Sequence, residues 1–275
     1  MNSSGKSIDS LSHFLCIMMN EISQTGKPIE FVSEPSAVNM ADDWFEIATP
    51  EHFWIRRRFD VVKNLLRGLN VREWRVAEVG CGHGLVQQQF EQEYGVAVDG
   101  IELNLVSLRQ NVSTRGRLLH YDICERRPEF GGGYDLVVLF DVLEHIEQEA
   151  QFLDAIRFLA NDRGHVLINV PAIQSLYSEY DRCAGHLRRY ALPDLFRLVR
   201  AQDLEILAAT YWGLPLLPFL WLRKRRLRYV RRDKVIRTGF DPGSKLVNQA
   251  MHFLSQAEAI PQTLCGTSAM VLVRK

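Results

Sequence analysis

Cysteine is too sparse and too scattered in this sequence to build anything. The five cysteines, at 16, 81, 124, 183 and 265, form no CxxC pair and no metal-ligand spacing, which argues against a disulfide framework or a zinc site. A reducing compartment fits them, so a cytoplasmic location is expected. Net charge is missing too. Lys and Arg number 33, as do Asp and Glu, so bulk electrostatics supply no attraction to nucleic acid. Long apolar runs are lacking: the longest uncharged stretch, "ILAATYWGLPLLPFLWL" at 206–222, falls short of the roughly 20 residues of a spanning helix and carries Pro215 and Pro218. Near the start, the run Leu11 to Met19 contains His13, is preceded by a single basic residue, Lys6, and lacks a small-residue cleavage pattern. No signal peptide is expected from it. No internal repeat is evident.

What is present is ordinary globular composition, 47% hydrophobic and 24% charged, enough for one main domain. Residues 1–45 are Ser-rich and read as an N-terminal extension or flap, with an amphipathic helix at 9–22; residues 46–275 read as the main domain. In "TPEHFWIRRRFDVVKNLLRGL", 49–69, Phe53, Ile55, Phe59, Val62 and Leu65 recur near a 3.6-residue period, predicting a helix that Gly68 stops. Seven Val/Ile/Leu-rich runs then follow, at 74–80, 95–103, 117–123, 134–142, 164–171, 204–211 and 268–275, with helical stretches at 85–94, 104–114, 148–160 and 192–202. Several runs are apolar at nearly every position, as strands covered on both faces must be. The pattern predicts an open, mostly parallel α/β sheet that binds ligands beyond the carboxyl ends of its strands.

The first strand runs into "AEVGCGHGLVQQQF", 77–90, where Glu78 precedes Gly80, Gly82 and Gly84 at alternate positions. Three such glycines let the backbone turn sharply and approach a ligand closely. A dinucleotide fingerprint would place a small residue where Leu85 stands, so it does not fit.

The E-x-G-x-G-x-G motif, Glu102 after the second strand, "HYDI" at 120–123 and "YDLVVLFDVLEHI" at 134–146 together resemble the class I S-adenosylmethionine-dependent methyltransferases over about residues 74–211. The resemblance implies a Rossmann-like, doubly wound, seven-stranded sheet with an antiparallel last strand, and S-adenosylmethionine as cofactor. It implies that Gly80, Cys81, Gly82 and Gly84 line the cofactor, with Glu78 orienting the loop or the amino group. Glu102, beside Leu103, would receive the ribose hydroxyls, Asp122 the adenine amino group between Tyr121 and Ile123, and Phe140 and Asp141 would border the sulfonium.

Methyl transfer to a hydroxyl calls for a base near the attacking oxygen. His145 is one candidate, since an EH pair after this strand is similar to that of small-molecule O-methyltransferases, including those of quinone biosynthesis. A metal-assisted route would use Asp141 and Asn169 but lacks a second acid there, so no metal is expected. Pro171 ends the fifth strand, and the scaffold resumes at 192, which makes 172–190 an insertion over the sheet's carboxyl edge. Within "YDRCAGHLRRY", 180–190, His186 is the second base candidate, and Arg188 and Arg189 are fork-shaped donors suited to an anionic acceptor. Tyr177, Tyr180 and Tyr190 offer apolar walls with polar tips. The G-H-x-R-R-Y stretch is similar to that of a bacterial methyltransferase subset associated with cell-surface sugar and lipid pathways.

A second insertion is expected at 212–265. It begins with "YWGLPLLPFLWLRKRRLRYVRRDK", 211–234, whose apolar and aromatic residues beside cations suit peripheral membrane contact, a lid or a dimer contact. The leading expectation is methyl transfer to oxygen of a small, lipid-linked or sugar-linked acceptor. Nitrogen or carbon methylation, a noncatalytic cofactor-binding partner protein and an NAD-dependent oxidoreductase are the alternatives.

Overall fold

The structure, a computed structural model, describes residues 21–35 and 47–275. The helix expected at 9–22 lies outside the described residues except for its last two positions. At the centre is an eight-stranded sheet of β1 (Ile29–Phe31), β2 (Val76–Val79), β3 (Val98–Glu102), β4 (Leu118–His120), β5 (Tyr134–Phe140), β6 (Ala160–Pro171), β7 (Glu205–Trp212) and β8 (Ser268–Arg274). Their spatial order is β1-β4-β3-β2-β5-β6-β8-β7. Pairing is parallel from β1 to β6, while β8 runs antiparallel between β6 and β7. The Rossmann-like, mostly parallel sheet with an antiparallel last strand is therefore the observed architecture.

Alternate residues of each central strand serve opposite faces. Val76, Val98, Leu136 and Val138 pack with Phe59, Val62 and Leu65 of α1 (Phe53–Leu65) and with Val86 and Phe90 of α2 (Leu85–Tyr94). Ala77, Val79, Val137 and Leu139 pack instead with Leu153 and Ile156 of α4 (Glu149–Leu159) and with Leu195 and Val199 of α6 (Leu192–Arg200). Burial on both faces is why these strands read as unbroken apolar runs.

The sheet has one strand more than the seven expected. Ile29–Phe31 adds in parallel to the edge strand β4, pairing Ile29 with Leu118 and Phe31 with His120. Three residues are too few to show a period of two. Between β3 and β4 the helix expected at 104–114 is shorter: α3 spans Leu105–Arg109, started by Asn104, whose side chain accepts from Val106 N.

After β6 the insertion closes on itself, because Ala172 and Tyr190 pair as an isolated parallel bridge. It carries α5 (Glu179–Ala184), begun by a capping box between Ser178 and Asp181. The uncharged run at 206–222 divides between β7 and a helix, so neither half approaches a membrane span. Helices α7 (Leu217–Leu227), α8 (Val235–Phe240) and α9 (Lys245–Ser255) link β7 to β8. From β2 the chain proceeds outward to β3 and β4, then returns to β5 on β2's other side. The carboxyl ends of β2 and β5 thus form the switch point where doubly wound sheets bind ligands.

Candidate active site

At the end of β2 the chain turns at once. Gly80, Gly82 and Gly84 have φ of +73°, +52° and +85°, a region strained for any residue with a Cβ. Gly80 is required for space as well, since a Cβ there would stand 2.3 Å from Val142 Cγ2. Gly80→Ala is expected to lower the melting temperature by about 5 °C, from roughly 2 kcal/mol of backbone strain and crowding. Scanning calorimetry checks it, and an unchanged transition would mean that the loop relaxes around Val142. Cys81 is buried in this turn, and burial raises its thiol well above the usual range.

Glu78, one strand position earlier, is 3% exposed, and its Oε2 has no hydrogen-bond partner among the described residues. Burial pushes its carboxyl up to about 8, against the pull of Arg58. The fold therefore holds a proton that an unfolded glutamate, with a pKa near about 4.3, gives up. That contribution to stability is complete below the unfolded value and is lost as pH rises through about 8. Glu78→Gln is expected to remove part of the fall in melting temperature between about pH 5 and 8. Identical slopes for the two proteins would contradict this assignment.

Glu102 closes the loop from the next strand. Its Oε2 accepts from Gly82 N at 3.0 Å, and its Oε1 from Leu103 N and Asn104 N at 2.7 and 2.8 Å. Burial raises this carboxyl, and the three backbone donors oppose that rise. A carboxylate has roughly four acceptor positions, so room remains for a ligand hydroxyl. Leu103 is also tied down, its carbonyl meeting His120 Nε2 at 3.0 Å.

At the end of β4, Asp122 is half-buried and its Oδ1 accepts from Cys124 N, while its own N donates to Ser33 Oγ just past β1. The N-terminal segment thus buttresses the expected adenine contact. Tyr121 and Ile123 do not present side chains to a ligand. Tyr121 is 1% exposed, stacks on Phe130 and accepts from Arg127 N, and Ile123 lies in the same core. Any contact they make with an adenine comes from their backbone.

β5 ends at Phe140, and Asp141 follows with φ of +56°. Its Oδ1 accepts from Asn169 Nδ2 at 2.8 Å and its Oδ2 lies 2.5 Å from the Arg58 guanidinium, which also sits 5.1 Å over the Phe140 ring. Asn169 Oδ1 in turn accepts from Trp212 Nε1. Asp141 therefore tethers α1, β6 and β7 to the end of β5 and is not a helix cap. Arg58 was not foreseen. The signal was an arginine on the apolar stripe of α1, between Ile55 and Phe59.

Just beyond, the chain gathers three proton-active groups. Glu144 is fully buried and neither carboxylate oxygen has a partner among the described residues; burial, reinforced by Asp141, raises it well above the usual range. His145 and His186 meet edge to face, ring centroids 4.8 Å apart, and His186 Nε2 is 3.9 Å from Glu144 Oε1. Burial, with the neighbouring His186, pushes His145 down to about 4. His186 Nδ1 lies 3.0 Å from Asp181 Oδ1. Burial pushes Asp181 up, but the hydrogen bond from His186 and the charge of Arg189 outweigh it and hold the carboxyl well below its ordinary value. Asp181 is thus an ionised acceptor, so Nδ1 carries a hydrogen and Nε2 faces Glu144.

The remaining acceptor-side residues divide. Tyr177 donates to the His186 carbonyl at 2.7 Å, and Tyr180 packs 6.4 Å from the His186 ring. Arg188 is partly exposed and pairs with Glu149. Arg189 and Tyr190 depart from the sequence expectation of acceptor contacts. The Arg189 guanidinium is buried against Asp181 and the Ala172 carbonyl, and the Tyr190 hydroxyl donates to Glu149, so both are struts that shape the insertion.

The implied cofactor fits these residues. The buried Oε2 of Glu78, without a hydrogen-bond partner among the described residues, suits an ammonium, and the carboxylate of Glu102, already turned toward the glycine loop, suits a ribose. A metal ion was not expected, yet Glu144, His145 and His186 offer ligand atoms all within 4.8 Å of one another, a spacing that could hold a cation. The sequence did not suggest this set, because only the insertion's return brings His186 to the end of β5.

A family model described as a methyltransferase domain matches residues 51–209. A ubiquinone biosynthesis O-methyltransferase of Marinobacter nauticus is 28% identical over 103 residues, covering 34% of this chain and 43% of the relative. The chain thus matches less than half the length of that curated relative. Among solved structures, phosphoethanolamine N-methyltransferase 2 of Haemonchus contortus, in complex with S-adenosyl-L-methionine, superposes with a TM-score of 0.54 at 17% identity, covering 88% of this chain and 61% of that one. An S-adenosylmethionine-dependent methyltransferase of Mesorhizobium loti gives 0.53 at 12% identity, covering 80% and 98%. At these identities the superpositions speak to the fold.

Proposed function

This chain belongs to the methyltransferase-domain family, and on that premise we propose that it carries a methyl group from S-adenosylmethionine to an oxygen of a small, lipid-linked or sugar-linked acceptor. When bound, that cofactor supplies a methyl carbon activated by a sulfonium, with a neutral thioether as leaving group. The observation that carries the choice of oxygen is His186, with Nδ1 held by Asp181, Nε2 facing Glu144 and the ring against His145. A hydroxyl sheds its proton as it attacks, and an imidazole fixed in one tautomer by a carboxylate takes that proton.

Each neighbour supports that role. Burial raises the Glu144 carboxyl well above its usual range, which disfavours a second carboxylate charge beside Nε2. His145 stays uncharged above about pH 4 and walls the site. Tyr177 and Tyr180 flank His186, and Arg188 is the guanidinium that an anionic acceptor would meet. The relative from Marinobacter nauticus supports oxygen over nitrogen or carbon.

The test is incubation with phenolic, sugar and isoprenoid alcohols and mass-spectrometric location of the methyl group. An O-methyl product is expected, and an N- or C-methyl product would overturn the assignment. A second reading, supported by the ligand spacing, has Glu144, His145 and His186 hold a divalent cation that binds the acceptor oxygen. Chelation separates the two: the base reading predicts unchanged turnover after EDTA treatment, the cation reading a loss that added metal restores.

A further inference from the structure

Between β7 and β8, residues 223–237 hold nine Lys and Arg and one Asp, a net charge of +8 in a chain whose total is zero. Helix α7 carries four of these nine cations and has two distinct faces. Its inner face belongs to the site: Arg223 lies 4.5 Å over the Tyr180 ring, Lys224 Nζ donates to the Ser175 carbonyl, and Leu227 packs with Tyr180, Val235 and Ile236. Its outer face exposes Phe219, Trp221 and Leu222 and then, a turn further on, Arg225 and Arg226, followed by Tyr229, which is 92% exposed. The Arg225 guanidinium lies 3.6 Å over the Trp221 ring, so cation and aromatic form one surface.

A second exposed apolar face adjoins the same turn. Leu246 and Phe253 of α9 are 78% and 71% exposed, and α7 and α9 both pack against the turn Leu214–Leu216. Large apolar side chains clustered in contact with solvent mark a surface with a partner. The charge decides which partner. A symmetric pair of these chains would set +8 against +8, and the core of such an interface is normally depleted of charge. Single-stranded nucleic acid would use the aromatic rings and the cations but gives no role to Leu222 and Leu246. A lipid surface uses all of them, with side chains entering the headgroup boundary and cations meeting anionic phosphates. Among the described residues no helix is long and apolar enough to cross a membrane, so contact would be at the surface only.

We propose that the outer face of α7 and the turn after it dock on an anionic bilayer, placing the insertion that carries His186 at the lipid boundary. The docking stands on this surface alone; only the delivery of a lipid-linked acceptor rests on the methyl-transfer reading.

Flotation of the full chain with phosphatidylcholine vesicles, with and without one third phosphatidylglycerol, tests it. Binding is expected with the anionic vesicles alone and is expected to fall as salt rises. Arg225→Glu with Arg226→Glu should lower partitioning by at least about fivefold per cation removed. Trp221→Ala with Leu222→Ala should weaken binding at every salt concentration, and both variants should keep the wild-type melting temperature. Four results would overturn the proposal: no flotation with anionic vesicles at low salt, equal flotation with neutral ones, tighter binding to a single-stranded oligonucleotide, or a solution dimer that shields Trp221 fluorescence. Docking without methyl transfer, or methyl transfer without docking, tells which reading has failed.

Discussion

Replacing Glu102 with alanine is expected to weaken S-adenosylmethionine binding by roughly 100-fold. Hydrogen bonds to a charged acceptor contribute about 1.5–3 kcal/mol each, and two ribose hydroxyls would meet this carboxylate. The loop would suffer as well, because Gly82 N loses the oxygen that holds it at 3.0 Å across from β3. Glu102→Gln keeps one acceptor oxygen and should fall between the two. Isothermal titration with S-adenosylmethionine measures both variants, with circular dichroism confirming the fold. Wild-type affinity in Glu102→Ala would refute the assignment of the ribose site.

Loss of the His186 imidazole should act on a different quantity. His186→Ala is expected to lower kcat by about 10²–10⁴, the usual range for a positioned base, while cofactor affinity stays within about twofold. Asp181→Asn should lower kcat less but also lower the melting temperature, because Asp181 simultaneously holds Arg189 and the start of α5. His145→Ala should reduce turnover modestly by opening the wall against which His186 packs. A larger loss in His145→Ala than in His186→Ala would exchange their roles, and full activity in both would leave the reaction to proximity alone.

The sheet was readable in the sequence because strands buried on both faces must be apolar throughout. β1 was not, since three residues paired at an edge leave no pattern. The glycine loop was legible for a related reason: only glycine tolerates a positive φ and the contact with Val142 at Gly80. Arginines were harder. Arg188 and Arg189 are adjacent and chemically identical, yet Arg189 is a buried strut while Arg188 stays partly exposed, and only the path of the chain decides which. The same blindness hid Arg58, which sits on the apolar stripe of α1, and Glu144. A fully buried carboxyl without a partner cannot be recognised until its surroundings are known.

Incubation of the chain with methyl-labelled S-adenosylmethionine and a lipid and small-molecule extract of its source, followed by mass identification of the labelled product, tests the central claim most directly. The account predicts label on an acceptor oxygen, lost in His186→Ala while cofactor binding persists. Cofactor binding with no labelled product in any fraction, or binding of NAD in place of S-adenosylmethionine, would contradict it.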